Sequence, residues 1–288
     1  MADSLAGAAL GRPPEPVRLR AVARTVASLF TPPTFAPEAP THRGLRYRRG
    51  LGPRRRVDVY LPDGPGPHPS VAVIHGGGFL IGSRRMKPAR YLATRLVQAG
   101  YAVGAFDYRL LIRGTLHLDR QVADVRAALG WWHEQGRRFR LDPRRTAALG
   151  LSAGGTLLLL ATAGGATPPL AHLVSVFSLY DLGQLSGRLP AVLGHLLHRT
   201  GDRAVWTARS PLAQAPCPVP MTLLHGTADG LTPLVQAERF AELRRQAGLP
   251  TRLHVYPGAP HGFFNEAASP TAQRATADLL AALANPPD

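Results

Sequence analysis

The sequence predicts an α/β fold: a mainly parallel eight-stranded sheet, helices on both faces and a small cap. Three observations carry that prediction. Strand-like apolar runs fall at 44–49, 56–60, 71–75, 101–106, 146–150, 173–178, 219–225 and 251–256. Helical patterns lie between the later runs, and strands alternating with helices pack as a parallel sheet covered on both sides. Glycine-rich or polar turns follow several of the runs, and ligands of such sheets sit beyond the carboxyl ends of the strands.

The elements follow in chain order. Residues 1–41 are rich in Ala and Pro and form an N-terminal extension with one helical stretch, Val17 to Phe30. Its apolar side (Leu19, Val22, Val26, Leu29, Phe30) suits either a cap over the active-site mouth or a loosely docked tail. The first two strands, joined by Gly50-Leu51-Gly52-Pro53, read as an antiparallel edge hairpin. Positions 88–99 carry apolar residues at helical spacing and stop at Gly100. In 119–136, Val122, Val125, Leu129 and Trp132 recur every three or four residues, so Trp132 reads as core. Residues 183–208 include a helical run from Pro190 to His198 and read as a lid over the pocket or an ordinary surface insertion. Thr232-Pro233 opens a helix through Gln246, and a last helix spans 270–284. At 288 residues, with no repeat and no linker, positions 42–288 form one large domain.

Chemistry enters at Gly150-Leu151-Ser152-Ala153-Gly154, between the strand-like run Thr146–Leu149 and the apolar helical run from Thr156. A strand-to-helix turn this tight strains its central residue, and glycine two positions to either side leaves the room. The strain lifts the Ser152 hydroxyl toward a base. A second loop, His75-Gly76-Gly77-Gly78-Phe79, follows the strand-like Val71–Ile74. Three successive glycines weaken a backbone entropically, so the loop has a use for bare N–H groups. Such a loop supplies half of an oxyanion hole, and the residue after the nucleophile supplies the rest. The donors are then Gly77, Gly78 and Ala153, with His75 holding the loop. Asp229 and His261 each sit just past a strand. Singly, an Asp beside Gly is an ordinary turn residue and a loop His is solvated. Together with Ser152 and the glycine loop they read as a Ser-His-Asp triad. Phe79, Leu80, Trp206, Phe263 and Phe264 are candidates for the substrate pocket.

These motifs resemble the α/β-hydrolase superfamily, bacterial carboxylesterase/acetylesterase type, related to the hormone-sensitive-lipase-like esterases. The resemblance runs from about Arg43 to the C-terminus. It rests on His75–Ser83, Asp107-Tyr108-Arg109-Leu110, Asp142-Pro143 leading to Gly150–Gly155, His225-Gly226 through Asp229, and His261-Gly262-Phe263. The order nucleophile, acid, base is that of the superfamily. Two positions depart from the lipase-like subgroup: Leu151 stands where aspartate is usual, and Leu111-Ile112-Arg113 where Ala-Pro-Glu is usual. The resemblance implies hydrolysis of a small-molecule ester with small or medium acyl groups through an acyl-enzyme. The alternatives are an amidase or formamidase, an exopeptidase, an acyltransferase, or a non-catalytic ligand-binding relative.

Composition narrows the partners. Net charge is +16 and the isoelectric point about 11.4, but Lys87 is the single lysine and the arginines are scattered. That skew fits a GC-rich coding sequence better than phosphate binding, and no nucleic-acid-reading motif is present. No start resembles a signal peptide, and no apolar run is long enough to span a bilayer. The single cysteine, Cys217, excludes an internal disulfide and fits a cytoplasmic location. No His or Cys spacing suggests a metal, and the chemistry needs no cofactor.

Overall fold

A computed structural model describes residues 15–16, 19–48, 55–110, 117–165, 168–186 and 188–287. Its elements in chain order are β1 (Glu15–Pro16), α1 (Leu19–Phe30), β2 (His42–Arg46), β3 (Arg56–Tyr60), β4 (His68–Ile74), α2 (Lys87–Gln98), β5 (Ala102–Phe106), α3 (Leu118–Glu134), α4 (Gly136–Phe139) and β6 (Leu141–Leu151). There follow α5 (Ala153–Thr162), β7 (His172–Val176), β8 (Leu185–Ser186), α6 (Arg188–His198), α7 (Arg203–Ala208), β9 (Met221–Gly226), α8 (Leu234–Gln246), β10 (Thr251–Tyr256) and α9 (Pro270–Ala284).

Strand side chains alternate between two cores, as the two-residue period requires. Ala72 and Ile74 of β4 pack with Leu129 and Trp132 of α3, Leu157 of α5 and Phe240 of α8. Val71 and Val73 point the other way, toward Leu92 and Leu96 of α2 and Leu279 of α9. Both faces are therefore covered, which is why β5 and the inner stretches Val71–Ile74 of β4 and Ala147–Leu151 of β6 are wholly apolar. Trp132 is 1% exposed, a core residue as its spacing predicts.

The eight-stranded order is β10-β9-β7-β6-β4-β5-β3-β2. Pairs from β10 through β5 are parallel; β3 runs antiparallel to β5, and β2 antiparallel to β3. The expected edge hairpin is present, with its Gly50–Pro53 turn outside the described residues. Strand β6 begins at Leu141, five residues before the apolar run, because Leu141 pairs with His68. Helix α8 begins at Leu234, with Pro233 as its N-cap. The strand order reverses between β4 and β6, where Ile74 lies opposite Gly150. Such a switch point opens a crevice at the carboxyl edge, and both glycine motifs emerge into it.

Two further segments meet above that crevice. In β1, Glu15 and Pro16 pair in parallel with Leu185 and Ser186 of β8. The Val17 start expected for the first helix lies outside the described residues; the helix runs over Leu19–Phe30. Thr25 Oγ1 donates to the His261 carbonyl at 3.5 Å, and Asn265 Nδ2 donates to Ser28 Oγ at 2.7 Å. Among the described residues, no helix is long and apolar enough to cross a membrane.

Candidate active site

Ser152 has φ 51° and ψ −123°, a left-handed conformation that disfavours any side chain. Its neighbours hold it there. The Ser152 N–H donates to Val176 O at 2.9 Å, and the Gly155 and Thr156 amides donate back to Ser152 O at 2.9 and 3.0 Å. A Cβ at Gly150 would overlap the backbone of Gly154 and Gly155, and one at Gly154 would overlap the carbonyls of Ile74 and His75. Gly155 is equally constrained, because a Cβ there would collide with Ser178 Oγ. Strain of this kind costs about 1–3 kcal/mol and persists only where the surroundings over-determine it.

The glycine loop is shaped by the same steric logic. Gly77 has φ 127° and its missing Cβ would strike the Ile81 carbonyl; the Leu80 and Ile81 amides donate to Gly77 O at 3.2 and 3.0 Å. Gly78 (φ 59°) and Phe79 (φ 66°) continue the left-handed path. Phe79, though not glycine, is held by buried Gln121, whose Nε2 donates to the Phe79 carbonyl at 2.9 Å. His75 stacks on Tyr108 with centroids 4.4 Å apart, and Tyr108 Oη donates to His75 O at 3.0 Å. Behind the loop, buried Arg84 pairs with Asp107 and, at 2.9 Å, with Asp58.

His261 stands between the other two chemical groups. Its Nε2 lies 3.0 Å from Ser152 Oγ and its Nδ1 lies 2.8 Å from Asp229 Oδ2. The structure therefore brings together three residues that are 77 and 32 positions apart in the chain. The Asp229 side chain is 1% exposed. It accepts from the Leu231 and Thr232 amides at 2.9 and 2.8 Å and from Thr232 Oγ1 at 2.8 Å. Burial alone would raise its pKa. The facing His261, then His225 and the Thr232 amide, outweigh burial and hold the carboxyl below its ordinary range. An ionised Asp229 keeps the proton of His261 on Nδ1 and leaves Nε2 free to accept.

A cavity of about 350 Å³ opens onto Ser152 and His261. Gly77, Gly78 and Ala153 line it, and Ala153 opens α5, whose first-turn amides have no partner within the helix. Phe79 and Leu80 also line it, as do Val22, Val26 and Leu29 of α1 and Leu185 and Leu193 of the 183–208 segment. No lysine, arginine, aspartate or glutamate lines it among the described residues. Trp206 and Phe263 do not belong to its wall, contrary to expectation. Trp206 is 2% exposed, fills the space that a side chain at Gly194 would need, and donates its Nε1–H to Thr200 O at 2.9 Å. Phe263 is 3% exposed and packs edge-on against Phe177, one layer behind the wall. Phe264 is fully buried. Bulky aromatic rings at loop positions are as useful to a core as to a ligand, and here burial won.

Two family models match the chain: one described as BD-FAE over residues 57–184, and the dienelactone hydrolase family over residues 202–285. Esterase LipC of Mycobacterium tuberculosis is 30% identical over 265 residues, covering 81% of this chain and 63% of that protein. The probable isoprenylcysteine alpha-carbonyl methylesterase ICME of Oryza sativa is 29% identical over 236 residues, covering 74% of this chain and 56% of that protein. The chain thus spans less than two thirds of the length of either relative. The propionate-bound esterase Est2 of Thermogutta terrifontis superposes with TM-score 0.65 at 25% identity, covering 82% of this chain and 91% of that one. The chain has the α/β-hydrolase fold.

Esterase B from Lactobacillus rhamnosis shares the α/β-hydrolase fold at TM-score 0.73 and 20% identity, covering 92% of this chain and 91% of that one. Around the acid of this α/β-hydrolase site stand two side chains that sequence reasoning did not assign. Thr232 Oγ1 bonds Asp229 and lies 3.3 Å from His261 Nδ1. His225, fully buried, donates from Nε2 to Thr232 O at 2.7 Å and lies 3.4 Å from Asp229 Oδ2. Burial lowers its pKa, against the opposing pull of Asp229 and of the bond to Thr232, so it stays neutral at pH 7. The signal for Thr232 was nearness to Asp229 in sequence, which a turn residue would also show; His225 stood in the motif that ends at Asp229, without a role of its own.

Proposed function

We propose that the chain is a serine carboxylic-ester hydrolase for small or medium acyl esters. The observation that carries the reading is the continuous relay from Asp229 through His261 to Ser152 at 2.8 and 3.0 Å, facing an uncharged apolar cavity. Ser152 Oγ attacks the ester carbonyl carbon while its proton passes to His261 Nε2. The carbonyl electron pair moves onto oxygen, where the N–H groups of Gly77, Gly78 and Ala153 receive the oxyanion. Asp229 stabilises the imidazolium without taking its proton. As the intermediate collapses, the C–O bond to the alcohol breaks and His261 returns the proton to the leaving oxygen. Water then attacks the acyl-serine by the same path, releases the acid and restores Ser152.

The domain plan belongs to the same proposal. Residues 42–288 are the hydrolase domain, and the 1–41 segment, through α1, acts with 183–208 as a small cap over the acyl pocket. The apolar lining contributed by Val22, Leu29, Leu185 and Leu193 supports that role. A cytoplasmic setting is retained on the strength of a single cysteine, buried Cys217.

The test is a burst experiment with nitrophenyl acetate, paired with labelling by a fluorophosphonate. The wild-type chain gives a burst and a covalent adduct on Ser152. Ser152→Ala gives neither, with kcat lowered about 10⁴-fold or more. A burst that survives in Ser152→Ala overturns the assignment, and a folded wild-type chain that takes no label favours the non-catalytic relative.

A further inference from the structure

A second cavity, of about 260 Å³, lies beside the first and shares no lining residue with it. Its wall joins an apolar strip, Pro37, Ala39 and Pro40, to charged and polar side chains: Arg43 from β2, Asp58 and Tyr60 from β3, Arg85 from the loop before α2, Arg90 from α2, and Glu38. Three guanidinium groups thus meet two carboxylates, and the carboxylates are already engaged. Asp58, 1% exposed, accepts from Arg84, from Arg85 Nε at 2.8 Å and from the Gly44 amide at 2.6 Å. Glu38 Oε1 accepts from Gln98 Nε2 at 3.1 Å. Among the described residues, Arg43 and Arg90 have neither an ion pair nor a side-chain hydrogen bond. Arginines gathered around a concavity, two of them uncompensated, are donors without an acceptor. Their planar forks match the paired oxygens of a carboxylate or phosphate.

The loop at residues 81–86 separates this cavity from the catalytic one. Ile81 and Met86 line the apolar side, and Arg85 lines the polar side. Between them, Arg84 is buried against Asp58 and Asp107, and Asp107 Oδ1 lies 3.9 Å from His75 Nε2 in the oxyanion loop. A charge arriving at Arg85 acts directly on the Asp58 carboxylate that Arg85 and Arg84 share.

We infer that this cavity is a binding site for a small oxyanion, a multivalent carboxylate or a phosphate, held by Arg43, Arg85 and Arg90. Its occupancy is transmitted through Asp58 and Arg84 to the loop that carries the oxyanion donors. Binding and its coupling to residues 82–86 are tested without substrate and do not depend on the esterase reading; only the name of the coupled loop as the carrier of oxyanion donors rests on it.

Citrate and inorganic phosphate are titrated calorimetrically into the full chain, with sodium chloride holding ionic strength constant so that general screening is matched. Saturable one-to-one binding of either anion is expected, and the tighter one identifies the headgroup. Arg43→Gln and Arg90→Gln weaken it about tenfold each. The paired variant Arg144→Gln/Arg145→Gln removes two exposed charges elsewhere and leaves Kd unchanged. Hydrogen exchange at the 82–86 amides slows on anion binding in wild type and not in Arg43→Gln/Arg90→Gln. Since neither arginine holds an ion pair, that variant keeps the wild-type circular dichroism spectrum. Absence of saturable binding, or equal weakening by the Arg144/Arg145 variant, overturns the site. Unchanged exchange at 82–86 with binding intact overturns the coupling.

Discussion

The carboxyl edge of the sheet and the segments above it are built on different principles. At the edge, backbone approaches backbone: Gly150, Gly154 and Gly155 leave no room for a methyl group, and Ser152 is held left-handed between them. Above it, α1 rests on side chains, through Thr25, Ser28 and Asn265 on one side and Lys87 with Thr31 on the other. The first arrangement admits one geometry for the reacting atoms. The second tolerates change, because side-chain contacts loosen without dislodging a strand. In the proposed function, chemistry is anchored in the edge and acyl preference in the overlying helix.

The largest expected effect strikes the edge. Gly154→Val drives a branched side chain into the Ile74 and His75 carbonyls and costs more than about 4 kcal/mol, seen as loss of the cooperative thermal transition. A variant that melts normally would show that the edge is as forgiving as the helix above it.

Acid destabilises the fold through two buried histidines, His172 in β7 and His198 at the end of α6. Burial pushes His172 and His198 down to about 4. Unfolded histidines titrate near 6.5, so between those values only the unfolded chain takes up protons. Stability is complete above that window and falls by a few kcal/mol as pH drops through it. Melting curves from pH 7.5 to 4.5 check this, and His172→Asn flattens the profile. Asp229 has the depressed carboxylate pKa, so its contribution is present above the unfolded aspartate value and is lost only in stronger acid.

Thr232→Val sharpens the comparison inside the site. It removes the hydroxyl that bonds Asp229 and touches His261. A charge-assisted bond is worth about 1.5–3 kcal/mol, so kcat falls about ten- to a hundredfold with KM nearly unchanged. Thr232→Ser restores it. A rise in KM alone would assign Thr232 to substrate binding instead.

The smallest effect belongs to the contact between Asn265 and α1. Asn265→Ala removes two side-chain bonds to α1, to Ser28 Oγ at 2.7 Å and to the Thr25 carbonyl at 3.5 Å, and costs about 1 kcal/mol. Octanoyl esters lose about threefold in kcat/KM while acetyl esters are unaffected. Equal loss on both would move α1 from acyl selection to support of His261.

The sheet was legible because buried strands are apolar, and their runs predicted all eight members. The elbow and the glycine loop were legible because glycine at those spacings has a steric use whatever surrounds it. Thr232 and the role of His225 were not, since a threonine after Gly230-Leu231 carries no distinctive pattern and the motif from His225 to Asp229 marks the acid rather than the histidine that opens it. Trp206 and Phe263 misled for the opposite reason. Their rings promise an apolar surface, but whether it meets a ligand or another ring depends on residues such as Gly194 and Phe177, distant in the chain. The arginine cavity was hidden in a scatter of basic residues, because Arg43, Arg85 and Arg90 become neighbours only when β2, α2 and the loop before it are packed.

Residue types alone determined where the backbone turns sharply, which runs are buried, and which serine, aspartate and histidine have chemistry within reach. Those are local properties, set by sterics and by the water-avoidance of apolar side chains. The tertiary structure decided how closely His261 approaches Ser152 and Asp229, which aromatic rings are masked, and which charges are left uncompensated. Those are properties of distance between segments, and electrostatic and packing energies act through distance in space.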